Sequence, residues 1–355
     1  MKLLITGICG FVGHTLARAL LEHNEGLEIL GLDNLVRPGS ELNRRSLAGL
    51  GVKFFHGDVR SASDVDVLPA ADWVLDAAAN ASVLAGLGQP GASRQLVEHN
   101  LGGTINLLEY CRRHHAGFIL LSTSRVYSIP PLAALEMISE GNAYQPRPAQ
   151  NWPAGCSPAG VAETFSTQPP LSLYGSTKLA SEVLALEYGS AFGLPVWLNR
   201  CGVLTGGGQF GRPDQGIFSY WVHSWAARRP LQYTGFHGQG FQVRDALHPA
   251  DLAPVLARQM REPTPRPEPP LNFGGGRDNS MSLARLSDWC ARRFGPHRVD
   301  SQPAPRPFDI PWLVMDCRAA AQRWGWRPQR KLETILEEIA AHAERHPDWL
   351  ELTSA

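Results

Sequence analysis

The chain has 355 residues, of which 43% are hydrophobic and 19% charged, so it can bury more core than one simple domain contains. Its 33 basic and 33 acidic residues balance, which argues against a surface that binds a nucleic-acid backbone or an anionic membrane. No apolar run approaches the roughly 20 residues that cross a bilayer, and there is no signal-peptide pattern. We expect a cytoplasmic protein with a small ligand.

The first half of the chain alternates short apolar runs with amphipathic stretches. In chain order, strands are predicted for KLLIT, LEILGLD, VKFFHGD, DWVLDAA, GFILLSTS and LPVWLNR. Helices are predicted for VGHTLARALLEH and VEHNLGGTINLLEYCRRH. Repeated strand, helix, strand units imply right-handed crossovers and a parallel sheet covered on both faces. The predicted fold class is therefore α/β, with a doubly wound, Rossmann-type parallel sheet.

The pattern loosens after about residue 203. The 28 prolines concentrate in 130–170, 263–270 and 303–311, which are predicted to be surface loops and links. We expect a sheet domain over residues 1–203, to which some later segments return, and a smaller C-terminal lobe over residues 204–355.

The stretch TGICGFVG, residues 6–13, follows the first predicted strand and precedes the first predicted helix. Gly7 permits a tight turn, Gly10 lets the backbone approach a pyrophosphate, and Gly13 lets helix and strand pack closely. The helix N-terminus then presents backbone N–H groups to the anion. The context predicts a dinucleotide site.

Asp33 stands at the end of the second predicted strand, about twenty residues after the glycines. Its carboxylate can accept hydrogen bonds from both hydroxyls of an adenosine ribose and would repel a 2′-phosphate. NAD is therefore predicted over NADP. Arg37 could favour NADP, but it lies beyond the strand end, where a solvated loop residue is the commoner interpretation.

The six cysteines are scattered, with no CxxC pair and no histidine at ligand spacing, so we expect free thiols and no metal site.

Tyr174 and Lys178 lie four residues apart in LYGSTKLASE, on one face of a predicted helix. Alone, this spacing fits a surface pair equally well. Ser122 and Thr123, however, close the predicted strand GFILLSTS, and strand C-termini face the ligand crevice of a doubly wound sheet. A lysine ammonium lowers the pKa of a neighbouring phenol, so Tyr174 can take a proton from a substrate alcohol whose oxygen Thr123 holds.

With these motifs the chain resembles the extended short-chain dehydrogenase/reductases that act on nucleotide sugars, the NAD-dependent epimerase/dehydratase family. The resemblance covers nearly the whole chain and is carried by the glycine motif, GLDNL, HGDVR, NLGGTINLLE, the Ser-Thr strand end, YxxxK, QVRDALHPADL, NFGGG and WGWRP. It implies a bound NAD in an NAD-binding domain over 1–203, a substrate-binding lobe over 204–355, and a homodimer through helices near 94–114 and 175–192.

The resemblance also implies roles for individual residues. Thr123, Tyr174 and Lys178 would be catalytic. Further cofactor contacts are implied for Phe11, Val12, Asn34, Asp58, Val59, Ala77, Ala78, Asn100, Ser122, Tyr174, Lys178 and Arg200.

Within the family, NRCGVLTGGGQFGRPDQGIFSYW resembles a branch of epimerases that invert C2 of CDP-linked deoxyhexoses. This implies that the nucleotide-sugar site is bordered by Asn80, Gln209, Phe210, Asp214 and Gln215. Arg244 and Arg306 would bind the diphosphate, since a guanidinium pairs well with phosphate oxygens. For Arg306 a surface salt bridge is the alternative.

Some positions depart from the family pattern. Asp76 stands where a histidine is frequent, and Ser124-Arg125 replaces the Asp-Glu pair that dehydratases need after the catalytic threonine. A dehydratase is therefore disfavoured, and an epimerase that transfers a hydride at one carbon is expected. A C4 epimerase or other oxidoreductase of a UDP- or dTDP-sugar, and a non-catalytic dinucleotide-binding scaffold, stay open. For Glu163 a contact with the sugar, a contact with the loop backbone and a solvated carboxylate all stay open.

Overall fold

The computed structural model describes residues 1–262 and 268–353. The chain forms two compact units. The first comprises Met1–Val126, Leu173–Arg200 and Pro249–Leu271, and the second comprises Tyr127–Ser172, Cys201–His248 and Asn272–Ala355. Within the proline-rich segment predicted as a loop at 263–270, residues 263–267 lie outside the described residues.

The strands are, in chain order, β1 (Lys2–Thr6), β2 (Glu28–Asp33), β3 (Lys53–His56), β4 (Trp73–Asp76), β5 (Gly117–Thr123), β6 (Met137–Ser139), β7 (Tyr144–Pro146), β8 (Cys156–Ser157), β9 (Gly160–Val161), β10 (Val196–Cys201), β11 (Val203–Leu204), β12 (Leu231–Thr234), β13 (Val243–Leu247), β14 (Leu271–Phe273), β15 (Ser280–Ser282), β16 (Val299–Gln302) and β17 (Trp312–Leu313).

The α-helices are α1 (Phe11–His23), α2 (Asn43–Gly49), α3 (Ala62–Asp66), α4 (Ala92–Val97), α5 (Gly103–His114), α6 (Ile129–Ala133), α7 (Leu173–Phe192), α8 (Ile217–Ala226), α9 (Ala253–Arg261), α10 (Leu283–Phe294), α11 (Arg318–Trp324), α12 (Leu332–Arg345) and α13 (Trp349–Leu352). A π-helical turn over Glu98–Gly102 joins α4 to α5.

The central sheet has seven strands in the order β14-β10-β5-β4-β1-β2-β3. The pairs β1–β2, β2–β3, β1–β4 and β4–β5 are parallel. The order reverses between β1 and β4, and in such sheets ligands bind outside the carboxyl ends of the strands at this point. The predicted doubly wound parallel sheet is confirmed.

Burial explains why the strands read as continuous apolar runs. Every residue of β5, GFILLST, is buried, because helices cover both faces of the sheet. One layer contains α1 and α9, and the other contains α5 and α7. The core of the α5 side is formed by residues such as Leu107, Phe118 and Val196.

The second unit has a core of its own between three helices. Trp221 of α8, Trp289 of α10 and Ile335 of α12 belong to one buried cluster. A smaller mixed sheet runs β11-β13-β15, with β17 also paired to β13.

Residues 127–172 fall within the expected sheet domain but cluster with the second unit. The reason lies in their partners: Val161 pairs with Met315, and the Tyr127 hydroxyl donates to Asn272 Oδ1 at 2.6 Å. Residues 249–271, which include α9, return to the first unit.

Asp245, on β13, is 1% exposed and joins three segments of the second unit. Its Oδ2 accepts hydrogen bonds from the N–H groups of Gly276 at 3.0 Å and Met315 at 3.3 Å. Burial raises the pKa of Asp245 to about 6, although these N–H donors act in the opposite direction.

This shift makes the stability of the protein depend on Asp245 between pH 5 and 7. Because the folded-state pKa exceeds the ordinary value of 3.8, the folded chain binds this proton more tightly than the unfolded chain. Between pH 7 and pH 5 the wild type should therefore gain about 1 kcal/mol of unfolding free energy relative to Asp245→Asn, and lose it again as the pH rises through 6. Denaturant unfolding at both pH values measures the difference.

The exposed Asp278 of the same unit supplies the control, Asp278→Asn, which should track the wild type. A difference between wild type and Asp245→Asn that stays constant with pH, or changes in the opposite direction, would contradict the assignment.

Candidate active site

The glycine-rich turn between β1 and α1 has no room for side chains. Gly7 has a φ of 63°, in the region that favours glycine. A Cβ on Gly13 would lie 2.3 Å from the Gly7 carbonyl oxygen. A Cβ on Gly7 would lie 3.0 Å from the Ala77 carbonyl oxygen and the Ala78 Cα, in the loop after β4. Turn, helix and loop are thus in backbone contact.

The N-terminus of α1 suits an anion. Gly10 is its N-cap residue, and among the described residues no side chain caps it. The first-turn residues Phe11, Val12 and Gly13 have backbone N–H groups without partners in their own helix. Together with the glycine cradle, which a Cβ would fill, this end of α1 fits the pyrophosphate of a dinucleotide.

Asp33 lies beside this turn, at the end of β2. Its carboxylate accepts hydrogen bonds from the N–H groups of Cys9 at 2.9 Å and Leu35 at 2.8 Å. Burial raises the pKa of Asp33, and the N–H donors partly offset this effect. Ribose hydroxyls would donate further hydrogen bonds to the carboxylate, whereas the negative charge of a 2′-phosphate would be repelled by it.

Asn34, Asp58 and Val59 lie next to Asp33 at the ends of β2 and β3. The Asn34 amide donates to Asp58 Oδ2 at 2.9 Å, and the Arg60 guanidinium donates to the same oxygen at 2.7 Å. The hydrogen bonds from Arg60 hold the pKa of Asp58 well below its usual range. Val59 is 5% exposed, and a Cβ on Gly103 of α5 would lie 2.7 Å from it.

The three expected catalytic residues are all in the first unit. Thr123 is the last residue of β5, and its Oγ1 accepts the N–H of Arg125 at 3.2 Å. Tyr174 and Lys178 lie in the first two turns of α7, which packs against β5. Thr123 is 9%, Tyr174 7% and Lys178 1% exposed, so solvent has little access to these groups.

Asn100 acts as a clamp for the helix that contains Tyr174. Its side-chain amide accepts the Asn80 N–H at 2.9 Å, donates to the Asn80 carbonyl at 3.2 Å and donates to Thr177 Oγ1 at 3.1 Å. Thr177 in turn donates to the Tyr174 carbonyl at 2.8 Å. The backbone of Asn80 is thus held by Asn100, while its side chain is exposed.

Ser122 and Arg200 meet at a carboxylate that sequence reasoning assigned no role. The Ser122 hydroxyl donates to Glu182 Oε1 at 2.5 Å, and Arg200 donates to both Glu182 oxygens. In the sequence, Glu182 follows Lys178 by one helical turn, which places both on one face of α7, but nothing local indicates that Ser122 and Arg200 meet there.

Arg244 and Arg306 lie in the second unit, near one carboxylate. The Arg244 Nη2 donates to Asp309 Oδ1 at 3.1 Å, and the Arg306 carbonyl accepts the N–H of Asp309 at 3.3 Å. Burial lowers the pKa of the Arg244 guanidinium, Asp309 opposes this, and Arg306 adds to it. The buried Asp245 also favours the charged form of Arg244.

Four of the residues expected to border the sugar also lie in the second unit, namely Gln209, Phe210, Asp214 and Gln215. The Gln209 side chain accepts the Thr205 hydroxyl at 2.8 Å and donates to the Leu204 carbonyl at 2.8 Å. Phe210 is 4% exposed and stacks on Trp349, with ring centroids 5.4 Å apart.

Asp214 and Gln215 occupy the turn before α8. There the Gln215 N–H donates to the Arg212 carbonyl at 3.2 Å.

The sequence did not indicate what Glu163 and Asp76 contact, and both carboxylates have partners within the protein. Glu163 Oε1 accepts the Asn272 N–H at 2.8 Å, so this carboxylate contacts the backbone of strand β14 rather than that of a loop. Asp76, 3% exposed, accepts hydrogen bonds from the hydroxyls of Thr6 at 2.8 Å and Thr104 at 3.3 Å and so joins β1, β4 and α5.

In the described ranges 1–262 and 268–353, no helix is both long and apolar enough to cross a membrane. The same residues contain no group of three histidine, cysteine or acidic side chains arranged to hold a metal ion.

A dinucleotide cradle at the switch point, with Thr123 on the strand beside it and the YxxxK helix packed against that strand, defines an NAD-dependent enzyme with dehydrogenase-type chemistry. Residues 3–274 match the NAD dependent epimerase/dehydratase family, and the chain belongs to this family.

Several relatives are similar over almost their whole length. A CDP-paratose 2-epimerase from Salmonella typhi is 30% identical, over 93% of this chain and 95% of the relative. A UDP-glucuronate 4-epimerase from Thermodesulfobacterium geofontis is 26% identical, over 94% and 93%. The structure of the UDP-glucose 4-epimerase of Thermus thermophilus in complex with NAD aligns with a TM-score of 0.75 and 26% identity, over 97% of this chain and 99% of that one.

The predicted family, the cofactor NAD and the assignment as a nucleotide-sugar epimerase are confirmed. When bound, NAD supplies a hydride acceptor and donor. The residues that fit it are those of the glycine turn, the N-terminus of α1 and Asp33.

Asp33→Ala should reduce the preference for NAD over NADP by about 1–3 kcal/mol, the usual contribution of hydrogen bonds to a charged acceptor. The dissociation constants of both dinucleotides, measured by calorimetry, give the preference. Glu28→Ala, at the exposed start of the same strand, is the control and should leave it unchanged. An unaltered preference in Asp33→Ala would show that another group excludes the 2′-phosphate.

Proposed function

We propose that the protein epimerises C2 of a CDP-linked deoxyhexose through a transient keto-sugar. One observation carries this proposal: Thr123, Tyr174 and Lys178 are present, while Ser124-Arg125 occupies the place of the acidic pair of dehydratases. Elimination of water needs an additional acid and base, whereas epimerisation needs one proton acceptor and one reversible hydride transfer. The likeness to the Salmonella typhi enzyme supports the choice of C2 and of CDP.

The side chains of the first unit account for the proton movements. The Arg125 N–H donates to Thr123 Oγ1, so the proton of this hydroxyl can be donated to the sugar oxygen. Lys178 stabilises the phenolate form of Tyr174, which accepts the proton of the reacting hydroxyl as the carbonyl forms and thereby becomes a neutral phenol. After the ketone presents its other face, Tyr174 returns the proton to the same oxygen. Each group thus ends the cycle in its initial state.

The second unit supplies groups for the nucleotide sugar. Arg244 and Arg306 would bind the diphosphate, since a planar guanidinium pairs well with phosphate oxygens. Gln209, Phe210, Asp214 and Gln215 would shape the sugar site, with the Gln209 amide held inside its own loop.

Deuterium at C2 of CDP-paratose tests the proposal. If hydride leaves and returns at C2, the label should stay in the C2 epimer, and no solvent deuterium should enter when unlabelled substrate reacts in heavy water. Mass spectrometry and proton NMR follow both. Tyr174→Phe should lower turnover by roughly a hundredfold or more while NAD binding is nearly retained.

Other outcomes would redirect the assignment. Solvent deuterium at C2 would exclude direct hydride return there, and a dehydrated product would restore the dehydratase interpretation. Conversion of UDP-glucuronate or UDP-glucose to its C4 epimer, with CDP-sugars untouched, would favour the second candidate, which the 26% identical UDP-glucuronate 4-epimerase supports. Failure to convert any nucleotide sugar would favour the scaffold.

We also propose a homodimer formed through α4, α5 and α7. Apolar side chains are exposed on these helices: Val97 is 42%, Ile105 38% and Val183 53% exposed. On α7, the apolar residues Leu173, Ala180 and Val183 lie seven and three residues apart, so they share one outward face of the helix. A second copy of the same helices would cover these side chains.

Val183→Arg should weaken the dimer by at least about tenfold, because it places a charge in an apolar contact. Sedimentation equilibrium measures the association. Val67→Arg is the matched control, since Val67 is 78% exposed and lies just after α3. A monomeric wild type, or a Val183→Arg dimer of unchanged affinity, would contradict this interface.

The proposed reaction also fits a cytoplasmic location. NAD and nucleotide sugars are intracellular metabolites, and all six cysteines are free thiols, as expected in a reducing compartment.

A further inference from the structure

We propose that Ser122, Glu182 and Arg200 form a positioning unit that sets the geometry and the charge balance of the catalytic groups. The inference rests on the proposed function in one respect: Thr123, Tyr174 and Lys178 are taken as the residues that hold and deprotonate the substrate alcohol.

The three residues connect the elements on which catalysis depends. Ser122 immediately precedes Thr123 on β5, and Glu182 follows Lys178 by four residues on the same face of α7. Arg200 lies on β10, which neighbours β5 in the sheet. One contact thus joins the strand that contains Thr123, the helix that contains Tyr174 and Lys178, and the strand next to them.

The contact is rigid. Arg200 Nε lies 3.0 Å from Glu182 Oε1, and Arg200 Nη2 lies 2.7 Å from Oε2, the two-pronged geometry that fixes the relative orientation of both groups. The side chains of Arg200 and Glu182 are 7% and 3% exposed. The Ser122 hydroxyl donates to Oε1 at 2.5 Å. A displacement of either strand or of the helix would break charge-assisted bonds in a buried environment.

The same contact keeps the neighbourhood of Lys178 electrically balanced. The positive charge of Arg200 offsets the negative charge of Glu182 one turn from Lys178. The nearest charged group on β4, Asp76, is held by Thr6 and Thr104 and is the same in every variant below. His99, in the π-helical turn, is also unchanged, and burial lowers its pKa.

Removing one charge of the pair should therefore move the pKa of Tyr174 in a direction that depends on which charge is lost. Glu182→Gln leaves an extra positive charge, which favours the phenolate and lowers this pKa. Arg200→Gln leaves an extra negative charge, which raises it. Each shift should be about 0.5–1 unit. The double variant Glu182→Gln/Arg200→Gln restores neutrality and should return the pKa to the wild-type value.

The experiment titrates the ultraviolet absorbance of the phenolate in NAD-loaded protein, and subtracts the same titration of each variant combined with Tyr174→Phe. This isolates Tyr174 without substrate. Glu25→Gln, an exposed carboxylate of the first unit outside the helices of the proposed dimer, is the control and should give no shift. The acid limb of the pH–rate profile of kcat, measured at saturating NAD, should move with the titration, while KM for the sugar changes less than about threefold.

Variants that keep the charges test positioning separately. Arg200→Lys keeps the positive charge and loses the two-pronged geometry, and Ser122→Ala removes only the hydroxyl. Both should leave the Tyr174 titration in place and lower kcat, by up to about a hundredfold for a displacement near 1 Å. If Glu182→Gln does not fold, the kcat values of Arg200→Lys and Ser122→Ala still test whether these residues position the catalytic groups.

A merely structural role predicts lower thermal stability in all variants, with the Tyr174 titration and kcat unchanged, and that result would overturn the proposal. The proposed function fails independently, if Tyr174→Phe retains wild-type turnover. The choice of sugar does not affect the titration, which contains no substrate.

Discussion

Backbone contacts that exclude side chains at Gly7 and Gly13 determine where the first unit can bind a cofactor. A Cβ on Gly13 would lie only 2.3 Å from the Gly7 carbonyl oxygen, so α1 can pack this closely on the turn after β1 only if residue 13 is glycine. The same approach places the turn against the loop after β4, at the edge where the strand order reverses. Asp33 accepts a hydrogen bond from the Cys9 N–H, so the position of its carboxylate is fixed relative to the glycine-rich turn.

The catalytic helix is held by side chains rather than by its own propensity. Its first turns are connected through Thr177 to Asn100 and through Asn100 to the backbone of Asn80. The Asn100–Thr177 bond is buried, where an unpaired amide or hydroxyl would cost about 1–3 kcal/mol, and the Asn100–Asn80 bond is partly buried. The orientation of Tyr174 therefore depends on a residue in another helix and on a loop that follows a third element.

Local patterns were sufficient to predict six of the seven strands of the sheet, β1 to β5 and β10, as well as the glycine turn and Asp33, because each is encoded within a few consecutive residues. The seventh strand, β14, was not predicted, since its three residues are too few to show a strand pattern. Ser122 and Arg200 were selected by resemblance, but their meeting at Glu182 depends on three separate elements and has no local signature. The partners of Asp76 and Glu163 were hidden for the same reason: Thr104 and Asn272 are 28 and 109 residues away in the chain. The placement of 127–172 in the second unit likewise follows from pairings with residues beyond 240.

The π-helical turn at Glu98–Gly102 limits how the length of this chain can vary. It contains one residue more than an α-helical turn would, and Asn100 lies inside it. Each residue turns a helix by about 100°, so deleting one here would give a regular helix from α4 to α5 in which the buried faces of Leu96 and Leu107 no longer coincide with the clamp formed by Asn100. A deletion within this helix would therefore move Asn100 away from Asn80 and Thr177, and a gap at this place in a homologous sequence would indicate that the helix of Tyr174 is held differently there.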